Sequence, residues 1–266
     1  MYFVECAKGI LIFSLIIIFS TNFAVAQINL SDLQYTVGER DIPASRSMLS
    51  DSHLEIAFLN RFCIKEMMYK SVEYNGIFNN GNLLFSKMTH EGYGKFGELT
   101  ATVGYGRRFG DKTAVALCGV YLLNHAEHYP TRHSFTIDIS LFYQVSSNIS
   151  LSVSLFNPIH LCYGVIGDEP IPMCFLVNIG YRVGEASTGH IFCKKALPGE
   201  LDIGIDLTYK PASYIFLYGI CSMTRTGIGI HIPWKGFVFS LMTDWYYRVS
   251  FSPQCDIHYF FKNDKP

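Results

Sequence analysis

Two runs of alternating apolar and polar residues, Ser134–Gln144 and Ile149–Phe156, flank a short polar turn near the middle of the chain. Successive side chains of a β-strand point to opposite faces, so a period of two collects the apolar residues on one face of each run. The turn, Ser146–Asn148, has the composition of a hairpin connection. The pattern predicts an antiparallel β-hairpin with one apolar face and one hydroxyl-rich face.

The N-terminal segment predicts export. An apolar run, Gly9–Phe19, precedes Ala24-Val25-Ala26, which has the form of a signal-peptidase cleavage site. We expect a signal peptide over residues 1–26 and Sec-dependent export, and the alternative is an uncleaved N-terminal anchor. After Gln27 no apolar run has the length of a transmembrane helix. An exported chain that belongs in a membrane is then expected to be a closed β-barrel, which satisfies all its backbone hydrogen bonds in lipid.

Strand-like segments recur throughout the rest of the chain. Counting back from the turn at Gly110-Asp111 adds three early segments to the clearer later ones, and together they cover residues 53–60, 67–74, 83–90, 98–109, 112–123, 134–144, 149–156, 173–183, 187–195, 201–210, 214–222, 226–232, 236–248 and 254–262. Short turns alternate with mostly longer connections such as Asn157–Pro172, the rhythm of outer-membrane barrels with short periplasmic turns. We predict an all-β fold, a transmembrane antiparallel β-barrel of about fourteen strands over residues 53–266, with about twelve as the second count. Residues 27–52 are predicted to form a periplasmic lead-in or short plug.

The composition favours a surface that meets lipid. Charged residues make up 16% of the chain and aromatic residues 15%, and the formal net charge is −1. Soluble domains usually carry about 25% charged residues, and nucleic-acid binding is not expected because no basic stripe is present. A soluble β-sandwich, the alternative, would carry Lys and Glu on its polar strand faces, which here hold Ser, Thr and Gly. We therefore expect a Gram-negative outer membrane, with its lipid as a partner.

The cysteine spacing does not indicate a disulfide framework. The seven that follow the predicted cleavage site are widely spaced and form no C-x-x-C pair, so neither a disulfide network nor a zinc site is predicted from their spacing. We interpret most of them as small apolar residues inside strands, and a single disulfide is left open. No cofactor and no metal site are predicted.

Charged and amide side chains on the polar strand faces are the candidate functional residues. A charge on the lipid face of a barrel is costly, so these residues are predicted to face the lumen. There they either pair across the lumen and close it or line a pore, and the near-balance of signs favours pairing. The candidates are Arg108, Asp138, Asn178, Arg182, Asp206, Asp244 and Arg248.

Two groups of residues raise the alternative of an enzyme. His125, Glu127, His128 and His133-Ser134 lie near one rim and suggest a lipid-modifying Ser/His/acid arrangement, although a polar loop is favoured. Asp244 with His258 suggests a protease-like dyad, although an ion pair in the lumen is favoured. We expect the chain not to be an enzyme.

Several strand and turn segments carry a family resemblance. They are Asn157-Pro158, residues 177–182 and 201–205, Tyr209-Lys210-Pro211, residues 217–220 and 227–230, Lys235-Gly236-Phe237 and Asp244. The C-terminal half, roughly residues 177–261, resembles the FadL-like outer-membrane barrels of Bacteroidota, the PorV-, PorQ- and PorP-type proteins, and the N-terminal half diverges from them. The resemblance implies either uptake of hydrophobic compounds or an accessory part in type IX secretion and gliding. We therefore expect passage or binding of a small, hydrophobic solute, and the alternative is a scaffold that docks a secretion or surface partner protein.

Overall fold

The computed structural model describes residues 42–46, 48, 52–64, 67–78, 82–163, 169–184, 186–199, 201–248 and 250–261. The predicted signal peptide, residues 1–26, and most of the predicted lead-in, residues 27–52, lie outside this range. In the part of the chain that is described, no helix combines the length and apolar character needed to cross a membrane.

Fourteen antiparallel strands form one closed sheet, which confirms the predicted all-β barrel and the first of the two strand counts. Within this sheet each strand pairs with the next along the chain, except that β7 pairs with β10. The pairing of β1 with β16 closes the barrel. A separate short hairpin, β8–β9, lies between β7 and β10. The strands are β1 (His53–Asn60), β2 (Met68–Phe78), β3 (Asn82–Tyr93), β4 (Phe96–Phe109), β5 (Thr113–Ala126), β6 (Arg132–Gln144), β7 (Ile149–Phe156), β8 (Cys162–Tyr163), β9 (Glu169–Pro170), β10 (Met173–Val183), β11 (Ser187–Leu197), β12 (Leu201–Ala212), β13 (Ile215–Ser222), β14 (Arg225–Trp234), β15 (Phe237–Tyr246) and β16 (Phe251–Phe260).

The strands differ from the predicted runs mainly where polar residues occur at their ends. β5 and β6 continue into the segment predicted as a long loop, so that Asn124 lies opposite Arg132. Ladder hydrogen bonds use the backbone and do not depend on side-chain polarity, so a hairpin can continue beyond the apolar band. β15 ends at Tyr246, and the predicted position of Arg248 within that strand is wrong.

The two ends of the barrel differ in their connections. We call the end at which β4 ends and β5 begins the turn rim; β6 and β10 also end there. The other end, at which β5 ends and β6 begins, is the loop rim, and β7 also ends there. The first residue of β1 and the last of β16 both lie at the turn rim. The loop rim also has tight connections, at Gly94-Lys95 and Met223-Thr224, so the predicted contrast between the rims is less regular than expected.

The outer face of the barrel is apolar. Val103, Leu141, Ile179 and Leu207 are exposed on it, although all four are large hydrophobic residues. Exposed aromatic side chains lie towards both rims: Tyr105, Tyr143, Tyr181 and Tyr209 at the turn rim, and Trp245 and Tyr247 at the loop rim. An apolar band bounded by aromatic rings is the surface that lipid requires of a barrel.

Strand β5 is apolar on both faces and is therefore covered inside the barrel as well. Its inward residues Ala114 and Ala116 pack against Ile42 and Ala44, at the helix α1 (Pro43–Arg46). The helix lies on the inner wall near the turn rim, where the Ala44 N–H donates to Ser140 Oγ at 3.0 Å. The N-terminal segment thus contributes a short plug to the lumen.

The β7–β10 connection covers the other end of β5. Ile171 and Leu161 pack beside the buried, inward-facing Val120 and Leu122. The described parts of the connection around Leu161 and Ile171 therefore lie inside the lumen at the loop rim.

Asn157 anchors this connection. Its backbone has φ of 54°, a left-handed conformation that Asn tolerates better than most residues. Its Oδ1 accepts hydrogen bonds from Thr136 Oγ1 at 2.8 Å and from the Leu161 N–H at 3.0 Å, and its Nδ2 donates to the Ile171 carbonyl at 2.8 Å. One buried side chain thereby joins β6 to both arms of the connection.

Lipid exposure of the outer face predicts a depth-dependent response to charge. Val103 lies near the middle of β4 on its outward face, and Phe109 lies on the same face at the turn-rim end. We expect Val103→Arg to lower the free energy of unfolding by about 2–4 kcal/mol and Phe109→Arg by about 0–1 kcal/mol. Urea unfolding in lipid vesicles measures both values, and a Val103→Arg variant as stable as the parent would contradict lipid exposure.

Candidate functional site

A cavity of about 530 Å³ lies on the loop-rim side of the lumen. It extends from residues at that rim, such as Arg61 and Thr224, to Ile42 beside helix α1. Its wall mixes apolar or aromatic residues with polar and charged ones. The apolar and aromatic lining residues are Ile42, Ala57, Leu59, Tyr69, Leu176, Phe192, Tyr218, Ile220, Met242 and Tyr246. The polar and charged lining residues are Glu55, Arg61, Ser71, Lys87, Asn178, Lys194, Asp202, Asp206, Thr224, Arg225, Asp244 and Gln254. The cavity is thus a pocket in the barrel mouth with the plug at its inner end.

Three of the predicted candidates, Asn178, Asp206 and Asp244, line this cavity. Asn178 and Asp206 are buried, and Asp244 is partly buried closer to the loop rim. The period-two pattern of β10, β12 and β15 thus brings residues from three strands to one pocket. Whether they act on a solute stays a prediction.

The other four predicted candidates do not line the cavity. Asp138 is partly buried on β6 and accepts a hydrogen bond from Ser154 Oγ at 2.7 Å. Arg108 and Arg182 are half-buried near the turn-rim ends of β4 and β10. Arg248 is exposed in the connection after β15, at the loop rim.

Two acidic residues of the cavity, Asp206 and Asp244, pair with residues of neighbouring strands. His190 Nδ1 lies 2.7 Å from Asp206 Oδ1, and both side chains are buried. Arg225 Nη1 lies 2.6 Å from Asp244 Oδ2 near the rim. The Asp244 ion pair expected on one strand face is therefore formed with Arg225 across the β14–β15 pair. The Asp244–His258 dyad is not formed, because Asp244 lies opposite Ser252 on β16, six residues away from His258.

Helix α1 is tied to strand β2 by a buried ion pair. Arg46 Nη2 lies 3.1 Å from Glu73 Oε1 on β2, and both side chains are almost completely excluded from solvent. Since Ile42 and Ala44 contact β5, the helix connects the β5 side of the lumen to the β2 side. The plug is thus held at both of its ends.

Glu73 is the centre of a polar network beneath the cavity. In addition to Arg46, Lys87 Nζ approaches its Oε2 at 3.2 Å and Asn75 Nδ2 donates to its Oε1 at 2.8 Å. Asn75 Nδ2 also lies 3.1 Å from His53 Nε2. Because Lys87 also lines the cavity, the network connects the pocket to the plug.

The histidine-rich segment at the loop rim does not form the Ser/His/acid arrangement of a lipid-modifying enzyme through His133, Ser134 and Glu127. These three side chains contact other residues. His133 Nδ1 lies 2.5 Å from Tyr121 OH, and Ser134 Oγ donates to the Cys162 carbonyl at 2.9 Å. Glu127 pairs with Lys95 at 2.9 Å. Consecutive residues of a strand point to opposite faces, so His133 cannot serve as base for Ser134 within β6.

Sequence reasoning missed the plug pair and a set of buried titratable residues. Arg46 and Glu73 lie in weakly patterned segments, and their contact depends on how the barrel closes. A signal was available in the first and last strands: His53 and Glu55 share one face of β1, and Asp256 and His258 share one face of β16. Because the ends of a closed barrel must pair, these two faces were bound to meet.

The fold and lumen define a transmembrane β-barrel with an internal plug. No protein-family model and no curated protein sequence matches the chain. Among solved structures, the fold resembles the Pseudomonas putida toluene transporter TodX, with a TM-score of 0.65, 8% identity, and coverage of 84% of this chain and 93% of that one. The Ralstonia pickettii toluene transporter TbuX gives a TM-score of 0.63, 8% identity, and coverage of 88% and 95%.

A third neighbour is the CymD monoaromatic hydrocarbon channel, with a TM-score of 0.60, 9% identity, and coverage of 90% of this chain and 95% of that one. At these identities the likeness shows the fold. It agrees with the expected resemblance to FadL-like barrels at that level, and the PorV-, PorQ- and PorP-type assignment stays a prediction.

The buried plug pair predicts a large loss of stability when its cation is removed. Arg46→Ala leaves Glu73 buried beside fewer compensating groups, and we expect the free energy of unfolding to fall by about 3–5 kcal/mol. The matched control is Arg61→Ala, whose pair with Glu91 is far more exposed, for which we expect a loss of about 0–1 kcal/mol. Equal losses for the two variants in urea unfolding would contradict the anchoring role of Arg46.

Proposed function

We propose that the chain is an outer-membrane barrel that takes a small, largely apolar solute into the cavity at its loop rim. The cavity itself carries the proposal. Its volume of about 530 Å³ lies within the range of about 300–1,000 Å³ typical of small-molecule pockets. Apolar and aromatic groups from many strands line it, with polar and charged groups between them. The fold that this chain shares with toluene and monoaromatic hydrocarbon transporters supports the same class of solute.

Three of the charged residues around the cavity are paired, which makes them compatible with an apolar solute. Asp206 is held by His190, Asp244 by Arg225, and Lys87 by Glu73. A paired charge needs water less than a lone one, so an apolar molecule can lie beside it at lower cost. Phe192, Ile220 and Met242 then offer the apolar contact surface.

We propose that passage beyond the cavity involves movement of the plug. Helix α1 lies beneath the pocket, fixed by apolar contacts on one side and by the Arg46–Glu73 pair on the other. We therefore propose that the solute binds first and that displacement of α1 controls its release towards the turn rim, which we propose to be periplasmic.

The same plug favours a second candidate function. A plug tied to the wall by a buried ion pair also suits a barrel that transports nothing and serves as a scaffold or accessory subunit of a type IX-like secretion or surface assembly. In that case the loop rim would be a docking surface, and the cavity would bind no solute.

Binding of toluene to the purified barrel in detergent tests the proposal. Phe192 lines the cavity, and its neighbour Ile191 points outward and is exposed. We expect Phe192→Ala to weaken toluene binding about tenfold or more, since burial of an aromatic side chain contributes about 1.5–3 kcal/mol. Ile191→Ala is the matched control and should leave binding unchanged.

Saturation-transfer NMR gives the affinity for each variant. Absence of toluene binding in the parent protein, with its barrel intact, would contradict solute binding and support the scaffold. Binding that is equally weakened by both substitutions would show that toluene enters the detergent-covered outer face and not the cavity.

A further inference from the structure

Three metal-ligating side chains meet where the barrel closes. Glu55 on β1 lies directly opposite His258 on β16, and Asp256 lies two residues before His258 on the same inward face. One ligand atom from each of the three residues lies within 4.8 Å of the other two. We call these three residues the seam cluster.

The spacing within the seam cluster suits coordination better than a direct hydrogen bond. His258 Nδ1 lies 3.4 Å from Glu55 Oε2, longer than the distance of about 2.7–2.9 Å usual for a charge-assisted hydrogen bond. Two donors that each lie about 2.0–2.1 Å from one zinc ion in tetrahedral geometry are about 3.4 Å apart. The pair therefore already has the separation of two ligands of one ion.

The charge and burial of the seam cluster also favour a bound cation. His258 and Asp256 are fully buried and Glu55 nearly so, and within the cluster only a protonated imidazole offers positive charge against two carboxylates. A divalent cation would neutralise both carboxylates and leave the imidazole neutral, the form in which it ligates.

Neighbouring residues orient one carboxylate of the seam cluster and connect the cluster to the cavity. Gln254 Nε2 donates to both oxygens of Asp256, at 2.9 and 3.0 Å, and so orients the carboxylate as outer-shell partners do in metal sites. Glu55 and Gln254 also line the loop-rim cavity, which gives an ion a route from that rim.

We infer that the seam cluster binds one divalent transition-metal ion, with Glu55, Asp256 and His258 as its protein ligands. An imidazole with two carboxylates suits zinc and its first-row neighbours better than calcium or magnesium, which prefer oxygen ligands alone. The ion joins the first strand to the last and thereby stabilises closure of the barrel. The inference does not rest on the proposed solute, because it is argued from the three ligand side chains, of which only Glu55 lines the pocket.

Zinc content of the purified barrel tests the inference. The protein is prepared without a histidine tag, stripped with a chelator, loaded with Zn²⁺ and desalted. We expect about one zinc per chain by mass spectrometry of the metal, and a higher thermal unfolding midpoint than that of the stripped protein. His258→Gln should retain almost no zinc and should lose the zinc-dependent rise.

The matched control is His231→Gln. His231 is another fully buried lumen histidine, bonded through Nδ1 to Ser240 Oγ at 2.8 Å, and its variant should still retain one zinc. If His258→Gln fails to fold, as judged by heat-modifiable gel migration, Asp256→Asn replaces it with nearly the same shape. Zinc retention in both the His258→Gln and the Asp256→Asn variants would overturn the site. Loss of zinc on replacing the rim histidines, by His125→Ala and His133→Ala, would overturn it as well. Absence of retained zinc in the parent protein would show that the cluster is a hydrogen-bonded group only.

Discussion

Pairing of the first strand with the last is the interaction on which the rest of the structure depends. In lipid an unpaired strand edge leaves a row of backbone N–H and C=O groups without partners, and water cannot satisfy them. The β1–β16 ladder removes both edges at once and encloses a lumen. Because the outer face carries apolar and aromatic side chains, the buried charged side chains of the strands must be compensated inside the lumen.

The lumen meets this requirement in two different ways. On the β5 side the inner wall is apolar, and the plug and the β7–β10 connection cover it as a small hydrophobic core. On the side of β1, β2 and β16 the wall is polar, and it holds the Arg46–Glu73 pair, the seam cluster and part of the cavity. The helix α1 joins the two sides, so its displacement would change the core, the ion pair and the floor of the pocket together.

The period-two pattern was enough to predict the strands, their count and the direction in which most side chains point. It could not predict contacts across the lumen, because these depend on closure and on residues outside the clear pattern. Arg46 illustrates this, since no local feature identifies Glu73 as its partner. The apolar inner face of β5 was visible in the sequence as a run without alternation. Because such a face must be kept from water, the plug and the β7–β10 connection cover it. Arg248 was misplaced because alternation was extended past the residue at which pairing stops.

Cross-linking across the seam tests closure most directly. Phe58 lies opposite Cys255 on the outward faces of β1 and β16, and opposed side chains of paired strands have Cβ atoms about 4.5–5.5 Å apart. Phe58→Cys should therefore allow a short thiol cross-linker to join the two strands in the folded protein, with altered migration of the boiled chain. Adding Cys255→Ser should abolish the cross-link. Cross-linking no greater than in the Cys255→Ser control would contradict a closed barrel.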